Sequence, residues 1–435
     1  MTGGYRGAGT VGAVGVVMGG ALVWLATAVA AQRPDAFVES RDHPAIQYST
    51  HPVDTSVSRL RRDLEAGRAQ LTFEKAGGWL RSLLKSLDIP VESQLLVFSE
   101  TSAQAPLITM KNPRALYFND VTAVGWVRGG SVLEIAAEDP REGVIFYTLD
   151  QRADARPVLK RNNGCLECHL TWDTLGVPGL TTISTFPMSD DKNAYASGVV
   201  VDHRVDLDQR WGGWYITGKS VPARHFGNLP VIRSEKELAR PSPPPPMLQS
   251  VAGLFDASQY PTPYSDAAAQ MVMGHLAHMT NLLTRLGWEA RVQSQPTPGK
   301  TQNGNRVTGA ASDLVDYLLF IDEAPLPRKI EGSSGFAEKF SARGPKDARG
   351  RSLYQLDLEH RMMRYPCSFM IYAPAFDALP QPALDAVYRR LWQVLSGDDT
   401  SKRYGKLTMA DRQAITEILR DTKKSLPPYF RPGGR

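Results

Sequence analysis

Residues 143–149 read Gly-Val-Ile-Phe-Tyr-Thr-Leu, and residues 161–169, shortly after them, read Arg-Asn-Asn-Gly-Cys-Leu-Glu-Cys-His. The first run is rich in β-branched and aromatic residues, which favours a strand. The second run places asparagine and glycine before its two cysteines, which is typical of a loop. Together the two runs predict a β-sheet that carries a cysteine-containing loop close to one of its strands.

Further short runs of the same character lie on both sides of these residues. The pair Gly129-Gly130 separates two of them and predicts a two-residue hairpin turn. After the cysteine loop, residues 197–201 and 210–217 predict a closing antiparallel pair of strands. The strands expected before residue 143 cover residues 95–98, 115–118, 123–127 and 131–135.

Helical spacing of apolar residues flanks this strand-rich region, from residue 32 to about residue 90 and again from residue 248 onward. The proline-rich residues 241–247 predict a linker between a domain at 32–240 and a mainly helical region at 248–435. The predicted fold is α+β, with a central antiparallel sheet flanked by helices. The C-terminal helices are expected at 265–287 with Ser265 as the cap, at 312–321, from Pro382 at the first helical position to Gly397, and from a Thr408–Asp411 capping box to Thr422.

The N-terminus has the pattern of an export segment. Arg6 precedes an apolar stretch at residues 11–31 that ends in small residues with Ala-x-Ala cleavage sites. The stretch is also long enough to remain as a membrane anchor, so residues 1–31 are interpreted as a signal peptide or an N-terminal anchor. Both alternatives place the rest of the chain in the periplasm or on the periplasmic face of the inner membrane.

The composition is that of an ordinary globular protein. Of the 435 residues, 42% are hydrophobic and 22% are charged, with a net charge of +5. Basic residues form no long run, so nucleic acid is not expected as a partner. The sequence has no Gly-x-Ser-x-Gly or His-Glu-x-x-His motif, which leaves the cysteine loop as the best candidate for chemistry.

The spacing Cys165-x-x-Cys168-His169 is the attachment signature of c-type haem. Two thiols at this spacing reach the two vinyl groups of one haem edge, and the adjacent imidazole can bind the iron. A structural zinc site would require four ligands, and Cys367, about 200 residues away, is the third and last cysteine. A thioredoxin-like redox pair and a pair of unmodified thiols are the remaining alternatives. Covalent haem attachment takes place outside the cytoplasmic membrane, so the export segment favours haem. Cys367 is then expected to be a buried structural thiol.

The second axial position of the iron has several candidates. His225 is preferred, Met188 and His275 are the alternatives, and an open position is the last possibility. His278 with His275 forms a His-x-x-His pair that could hold a second metal. The carbonyl of Pro178 is expected to accept a hydrogen bond from the ring nitrogen of His169 that does not bind the iron. The alternative is that residues 177–179 form a simple turn without this bond. Three aromatic residues are expected to wall the haem pocket and keep it dry: Trp211, Trp214 and Tyr215.

The chain resembles the exported monohaem cytochrome c domain proteins of bacteria. The resemblance is carried by residues 165–169 together with residues 146–151, 210–215 and 224–228. The chain departs from the pattern at Ser220, where such proteins have a second histidine. The resemblance implies one covalent haem c and electron transfer but no particular substrate. The strand order also looks like that of c-haem sensor domains of the PAS type, which is an analogy of fold alone.

The leading functional hypothesis is therefore an exported electron carrier that exchanges single electrons with periplasmic or membrane redox partners. The alternative is a haem oxidoreductase or a gas or redox sensor with an open sixth iron site, because nearly 400 residues around one haem is a generous size. A third hypothesis is an exported scaffold in which the cysteine motif is incidental.

Overall fold

A seven-stranded antiparallel sheet forms the centre of the fold. The computed structural model describes residues 35–185, 198–230, 244–295 and 305–431. The seven strands are β1 (Leu95–Val97), β2 (Arg114–Phe118), β3 (Thr122–Trp126), β4 (Val132–Asp139), β5 (Gly143–Asp150), β6 (Leu159–Arg161) and β9 (Trp214–Tyr215). Their order across the sheet is β6-β5-β4-β3-β2-β1-β9. Six of the strands follow one another as a simple meander, and the later strand β9 joins the free edge of β1.

Two small sheets accompany the central one. β7 (Ile183–Ser184) pairs with β8 (Val199–Val200), and β10 (Gly218–Ser220) pairs with β11 (Glu331–Gly332). The helices are α1 (Ser56–Glu65), α2 (Leu80–Ser86), α3 (Leu166–His169), α4 (Ala267–Ser294), α5 (Asn305–Leu318), α6 (Phe336–Ser341), α7 (Pro374–Asp377), α8 (Gln381–Ser396) and α9 (Met409–Thr422).

The two faces of the central sheet differ in burial because side chains alternate along each strand. On β4, Leu133, Ile135 and Ala137 are fully buried, whereas Val132 and Glu134 are partly exposed. The buried face packs against the N-terminal helices α1 and α2 in one hydrophobic cluster. The second face packs against α4 and against the segment that follows the cysteine loop, and the cysteine loop lies on this face, where His169 packs on Phe146.

The predicted α+β fold is confirmed by the mixed helices and the central antiparallel sheet. The strands expected before residue 150 are all present, and Gly129 adopts a φ of +78° in the turn between β3 and β4. That turn spans residues 127–131 and is therefore longer than the expected two residues. The likeness to PAS-type domains stays a prediction.

The predicted pairing of residues 197–201 with residues 210–217 is wrong. β8 pairs with β7 through Val199 and Ser184, and β9 pairs with β1 through Tyr215 and Leu96. β1 would otherwise leave one edge of the central sheet with unpaired backbone groups, and β9 satisfies them.

Two helix starts also differ from the prediction. Asp266, and not Ser265, caps α4, since its carboxylate accepts hydrogen bonds from the amides of Ala268 and Ala269 at 2.9 and 3.1 Å. The Ser265 hydroxyl is engaged instead by the backbone of Leu96 and Tyr215. Pro382 occupies the second position of α8, which begins at Gln381.

Other helix ends agree more closely with the sequence pattern. Gly397 stops α8 in the left-handed conformation, and Thr408 with Asp411 forms the capping box of α9. α4 continues past the expected Gly287 to Ser294, and α5 begins at Asn305, earlier than expected.

One hydrophobic core joins residues from both sides of the predicted linker. Leu95, Phe118 and Trp214 share a cluster with Leu276 and Leu391. Residues 231–243, which include the first three residues of the predicted linker, lie outside the described residues, as do residues 1–34 with the predicted export segment. The predicted domain boundaries stay predictions. Within the described residues, no helix has both the length and the apolar character needed to cross a membrane.

Candidate functional site

The cysteine loop is one compact helical turn. A 3₁₀ turn at Asn163–Cys165 leads into α3, and the Asn162 side chain accepts a hydrogen bond from the amide of Gly164 at 3.0 Å. Leu166 is 4% exposed and anchors the turn in the core. In a helical turn, residues three and four apart lie on the same side. The fold therefore places Cys168 and His169 on the same side as Cys165.

Both thiols of the loop are free. Cys165 is partly exposed and Cys168 is exposed, and neither forms a disulfide. Burial and the nearby carboxylate of Glu134 raise the pKa of the Cys165 thiol. Two accessible thiols on one turn can both reach the edge of a flat cofactor.

The His169 ring is oriented by two contacts. Its Nδ1 lies 3.0 Å from the carbonyl oxygen of Gly179, and its ring packs on Phe146 of β5 with 4.8 Å between centroids. Burial lowers the pKa of His169, which favours the neutral imidazole. A neutral ring that donates from Nδ1 presents Nε2 as a lone pair, and among the described residues Nε2 has no hydrogen-bond partner. The geometry suits an axial metal ligand.

The predicted backbone partner of His169 is wrong by one residue. The carbonyl of Pro178 accepts a hydrogen bond from the amide of Val144 at 3.1 Å, which ties the loop to β5. The next carbonyl, that of Gly179, is the one bonded to His169. The carbonyl of Pro178 is therefore engaged by β5, and that of Gly179 is the one that faces the ring.

Beside the cysteine loop, the second sheet face has partly exposed side chains on three strands, β2, β4 and β5. We call this surface the floor and define it by five residues: Arg114 and Leu116 on β2, Gly125 on β3, Glu134 on β4 and Thr148 on β5. Leu116 and Thr148 are partly exposed although their strands lie inside the sheet. The register aligns the floor, because Gly125 lies opposite Leu116 and Glu134, and Glu134 lies opposite Thr148.

An ion pair crosses the floor. The guanidinium of Arg114 contacts the carboxylate of Glu134, and both side chains are less than one-fifth exposed. The Arg114 side chain lies directly over Gly125, where a Cβ would come within 2.5 Å of Nη2. Gly125 therefore gives the pair the space to span three strands. The Ser102 hydroxyl and the Gln104 amide also donate to Glu134, at 3.1 and 3.3 Å.

The other end of the same face is covered. The chain after the cysteine loop crosses it, and Asn281 of α4 holds this segment by bonding both the amide and the carbonyl of Leu180, at 2.9 and 2.8 Å. Leu276 and Thr280 of α4 close over Ala136 and Glu138, leaving a cavity of about 10 Å³. α4 and the crossing segment thus form one border of the floor.

The predicted distal histidines are held elsewhere. His275 is fully buried, with Nδ1 at 2.9 Å from Nδ1 of His203 and Nε2 at 2.7 Å from the Ser368 hydroxyl. Both of its ring nitrogens are therefore occupied. His278 accepts a hydrogen bond from Arg204 at 3.1 Å. Met188 lies outside the described residues.

His225 is buried next to Trp211, with 5.2 Å between ring centroids. Burial lowers the pKa of His225 to about 4. Its Nδ1 has no hydrogen-bond partner among the described residues and lies against Gly227. The backbone around it bonds to Arg210 and Trp214, which places His225 beside β9.

The predicted aromatic wall belongs to the opposite edge of the sheet from the cysteine loop. Trp214 and Tyr215 form β9, and four strands separate β9 from β5, which is about 24 Å along the sheet at ~4.8 Å per strand. Trp214 bonds the carbonyl of Ile183, and Tyr215 points to the other face, where it bonds the carbonyl of Met110. Trp211 is 1% exposed in the core. The structure brings together Cys165, Cys168 and His169 but does not add these residues to them.

Two alternative interpretations of the cysteine motif concern metals and free thiols. Within the described residues, no group of three or more His, Cys, Asp and Glu side chains is arranged to hold a metal ion. A zinc site through Cys165 and Cys168 therefore has no further protein ligands in this part of the chain. Cys367 is fully buried, as expected for a structural thiol.

Sequence reasoning missed the residues that form the surroundings of His169. Phe146 lies in a strand that was predicted, but its contact with the histidine was not. The alternation along β4, with Glu134 between Leu133 and Ile135, is the signal that could have revealed a polar position on an open face. The contact of Arg114 with Glu134 across Gly125 depends on the strand register, which the sequence does not reveal.

No family model matches the sequence, and no curated protein or solved structure is significantly similar to it.

Proposed function

We propose that this protein is an exported c-type cytochrome that binds one haem covalently and carries single electrons between redox partners. Cys165 and Cys168 would hold the porphyrin through thioethers, and His169 would be the proximal iron ligand. The observation that carries the proposal is the state of His169. Its Nδ1 is fixed by Gly179 at 3.0 Å while Nε2 is left for a metal.

The residues around the loop fit the chemical needs of this group. Two free, accessible thiols and an imidazole share one helical turn, and an open sheet face lies beside them. The bound haem supplies a one-electron iron couple. The chain's own part is to fix the imidazole tautomer, to keep the ring on Phe146 and to place the charged pair of the floor beside the site.

A second candidate function is a haem oxidoreductase or sensor with an open sixth iron position. The observation that favours it is where the structure places His275 and His225, the two candidates for the sixth ligand that lie within the described residues. His275 has both nitrogens occupied, and His225 is packed on Trp211 beside β9. Neither is arranged as a ligand opposite His169 without rearrangement.

The attachment is tested with the double variant Cys165→Ala/Cys168→Ala, produced in a host that matures c-type cytochromes. We expect the wild-type chain to keep haem staining after denaturation and the double variant to lose it. Cys367→Ala is the matched control and should stain like the wild type, because this buried thiol is in a different part of the core. Equal staining of the double variant, or an unstained wild type, would exclude the proposed attachment.

The optical spectrum of the matured protein separates the two functions. Sharp low-spin bands that do not respond to carbon monoxide would support an electron carrier with two protein ligands. A high-spin spectrum that shifts with carbon monoxide would support the enzyme or sensor. The variant His225→Ala sharpens the result, since an unchanged low-spin spectrum would remove His225 as the sixth ligand.

A further inference from the structure

We propose that the Arg114–Glu134 ion pair on the floor sets the reduction potential of the haem site, the arginine raising it and the glutamate lowering it. This inference rests on the proposed function and deepens it. It assigns a role to two residues outside the cysteine motif, and each role has a defined sign.

The register places the pair next to the proximal histidine. His169 packs on Phe146, which lies opposite Ala136 of β4. Glu134 is two residues from Ala136 on the same face, so it is a diagonal neighbour of Phe146, at roughly 7–8 Å in an antiparallel sheet. Arg114 reaches Glu134 from β2 across Gly125. Both charges also act electrostatically on His169 and on the Cys165 thiol.

The two charges are fixed in position, unlike those of most surface ion pairs. Glu134 is held by the guanidinium and by the donors of Ser102 and Gln104. Arg114 lies in the space that Gly125 leaves, and its Nε is buried without a hydrogen-bond partner among the described residues. Side chains that are less than one-fifth exposed are weakly screened by solvent, so their charges act over longer distances.

The sign of each effect follows from electrostatics. Reduction adds one negative charge to the iron centre, so a nearby cation stabilises the reduced state and a nearby anion destabilises it. Removing the charge of Arg114 should therefore lower the midpoint potential, and removing that of Glu134 should raise it. A merely structural pair would not give opposite signs, because either substitution would break the same contact.

The experiment is a potentiometric titration of the haem-loaded protein and of the variants Arg114→Gln, Glu134→Gln and the double variant. We expect the ratio of reduced to oxidised protein at a fixed potential to fall several-fold in Arg114→Gln and to rise several-fold in Glu134→Gln. A tenfold change in this ratio equals about 59 mV for one electron. The double variant should lie between the two single variants.

Two further variants guard against indirect effects. Arg114→Lys keeps the charge and should restore most of the wild-type midpoint. Arg349→Gln removes an arginine that pairs with Glu417 of α9, and it should leave the midpoint unchanged. Shifts of the same sign in both single variants, or shifts no larger than that of Arg349→Gln, would overturn the inference while haem staining still supports the proposed function. A wild-type protein without haem would overturn both.

Discussion

Two acidic residues of the same strand have different surroundings at the open and the covered end of one sheet face. Glu134 and Glu138 lie four residues apart on β4 and point to the same side. Glu134 stands on the floor, where Arg114 pairs with its carboxylate. Glu138 lies under α4 and is 7% exposed, and its oxygens have no hydrogen bond of good geometry among the described residues.

The pKa of the covered carboxyl reflects this position. Burial raises the pKa of Glu138 to about 8, the carboxylates of Asp120 and Asp139 add to the increase, and the Thr280 hydroxyl opposes it. At neutral pH this side chain is therefore largely protonated. Packing favours the neutral carboxyl at the covered end, whereas Glu134 at the other end forms an ion pair with Arg114.

Histidines follow the same division. At the open end, His169 donates a hydrogen bond from Nδ1 to the carbonyl of Gly179, and its Nε2 has no hydrogen-bond partner among the described residues. On α4 itself, His275 is fully buried and uses both nitrogens, for His203 and for Ser368. Residue type alone does not decide whether a histidine can bind a metal, since the number of its occupied nitrogens decides it. A functional histidine is therefore expected where packing leaves a lone pair.

The largest expected effect is a difference in stability between two histidine variants, one from each region. His275→Ala removes a buried ring and leaves His203 and Ser368 without a partner, so we expect a loss of about 3 kcal/mol in the free energy of unfolding. His169→Ala loses one hydrogen bond and the contact with Phe146 and should cost about 1 kcal/mol in the haem-free protein. Urea unfolding of both variants measures the difference. Equal losses would show that His169 is as much a part of the core as His275.

The second prediction concerns the pH dependence caused by Glu138. The folded state binds its proton more tightly than the unfolded state, whose pKa is near 4.5. The stabilisation is therefore complete below about pH 4.5 and is lost as the pH rises through about 8. We expect the unfolding free energy to fall between pH 5 and pH 9, because over most of this range the folded state keeps the proton of Glu138 and the unfolded state does not.

The variant Glu138→Gln isolates that contribution. A neutral amide of similar size has no proton to lose, so the slope of stability against pH between 5 and 9 should flatten. Glu134→Gln is the matched control at the open end and should keep the wild-type slope over this range. An unchanged slope in Glu138→Gln would mean that the carboxyl is ionised or solvated under α4.

Local patterns predicted much of the fold. Short runs rich in β-branched and aromatic residues located β2 to β5, and the Thr408–Asp411 box located the start of α9. The motif at residues 165–169 identified the three residues that the structure places on one turn. These features depend on neighbours within a few residues, so the sequence contains the information needed to predict them.

Long-range features were not predictable in the same way. β9 pairs with β1 although more than 100 residues separate them, and no local pattern indicates such a partner. The bond from His169 to Gly179 depends on which of two consecutive carbonyls faces the ring. The floor depends on the register of four strands, which brings Arg114, Gly125 and Glu134 into one line across the sheet.

The smallest expected effect is a change in stability at Gly125, the central residue of the line from Arg114 to Glu134. Gly125→Ala would place a Cβ 2.5 Å from Nη2 of Arg114, so the guanidinium has to move away from its position over β3. Because the side chain is flexible at that end, we expect a loss of only about 1 kcal/mol in the free energy of unfolding. Gly309→Ala in α5 is the matched control, since a Cβ there meets nothing within 4 Å and a helical glycine to alanine change stabilises by roughly 0.5–1 kcal/mol. A lower free energy of unfolding in Gly125→Ala and a higher one in Gly309→Ala would support the position of Arg114 over Gly125. A gain in stability at both positions would mean that a Cβ at residue 125 fits beside Arg114 and that the ion pair forms without the glycine.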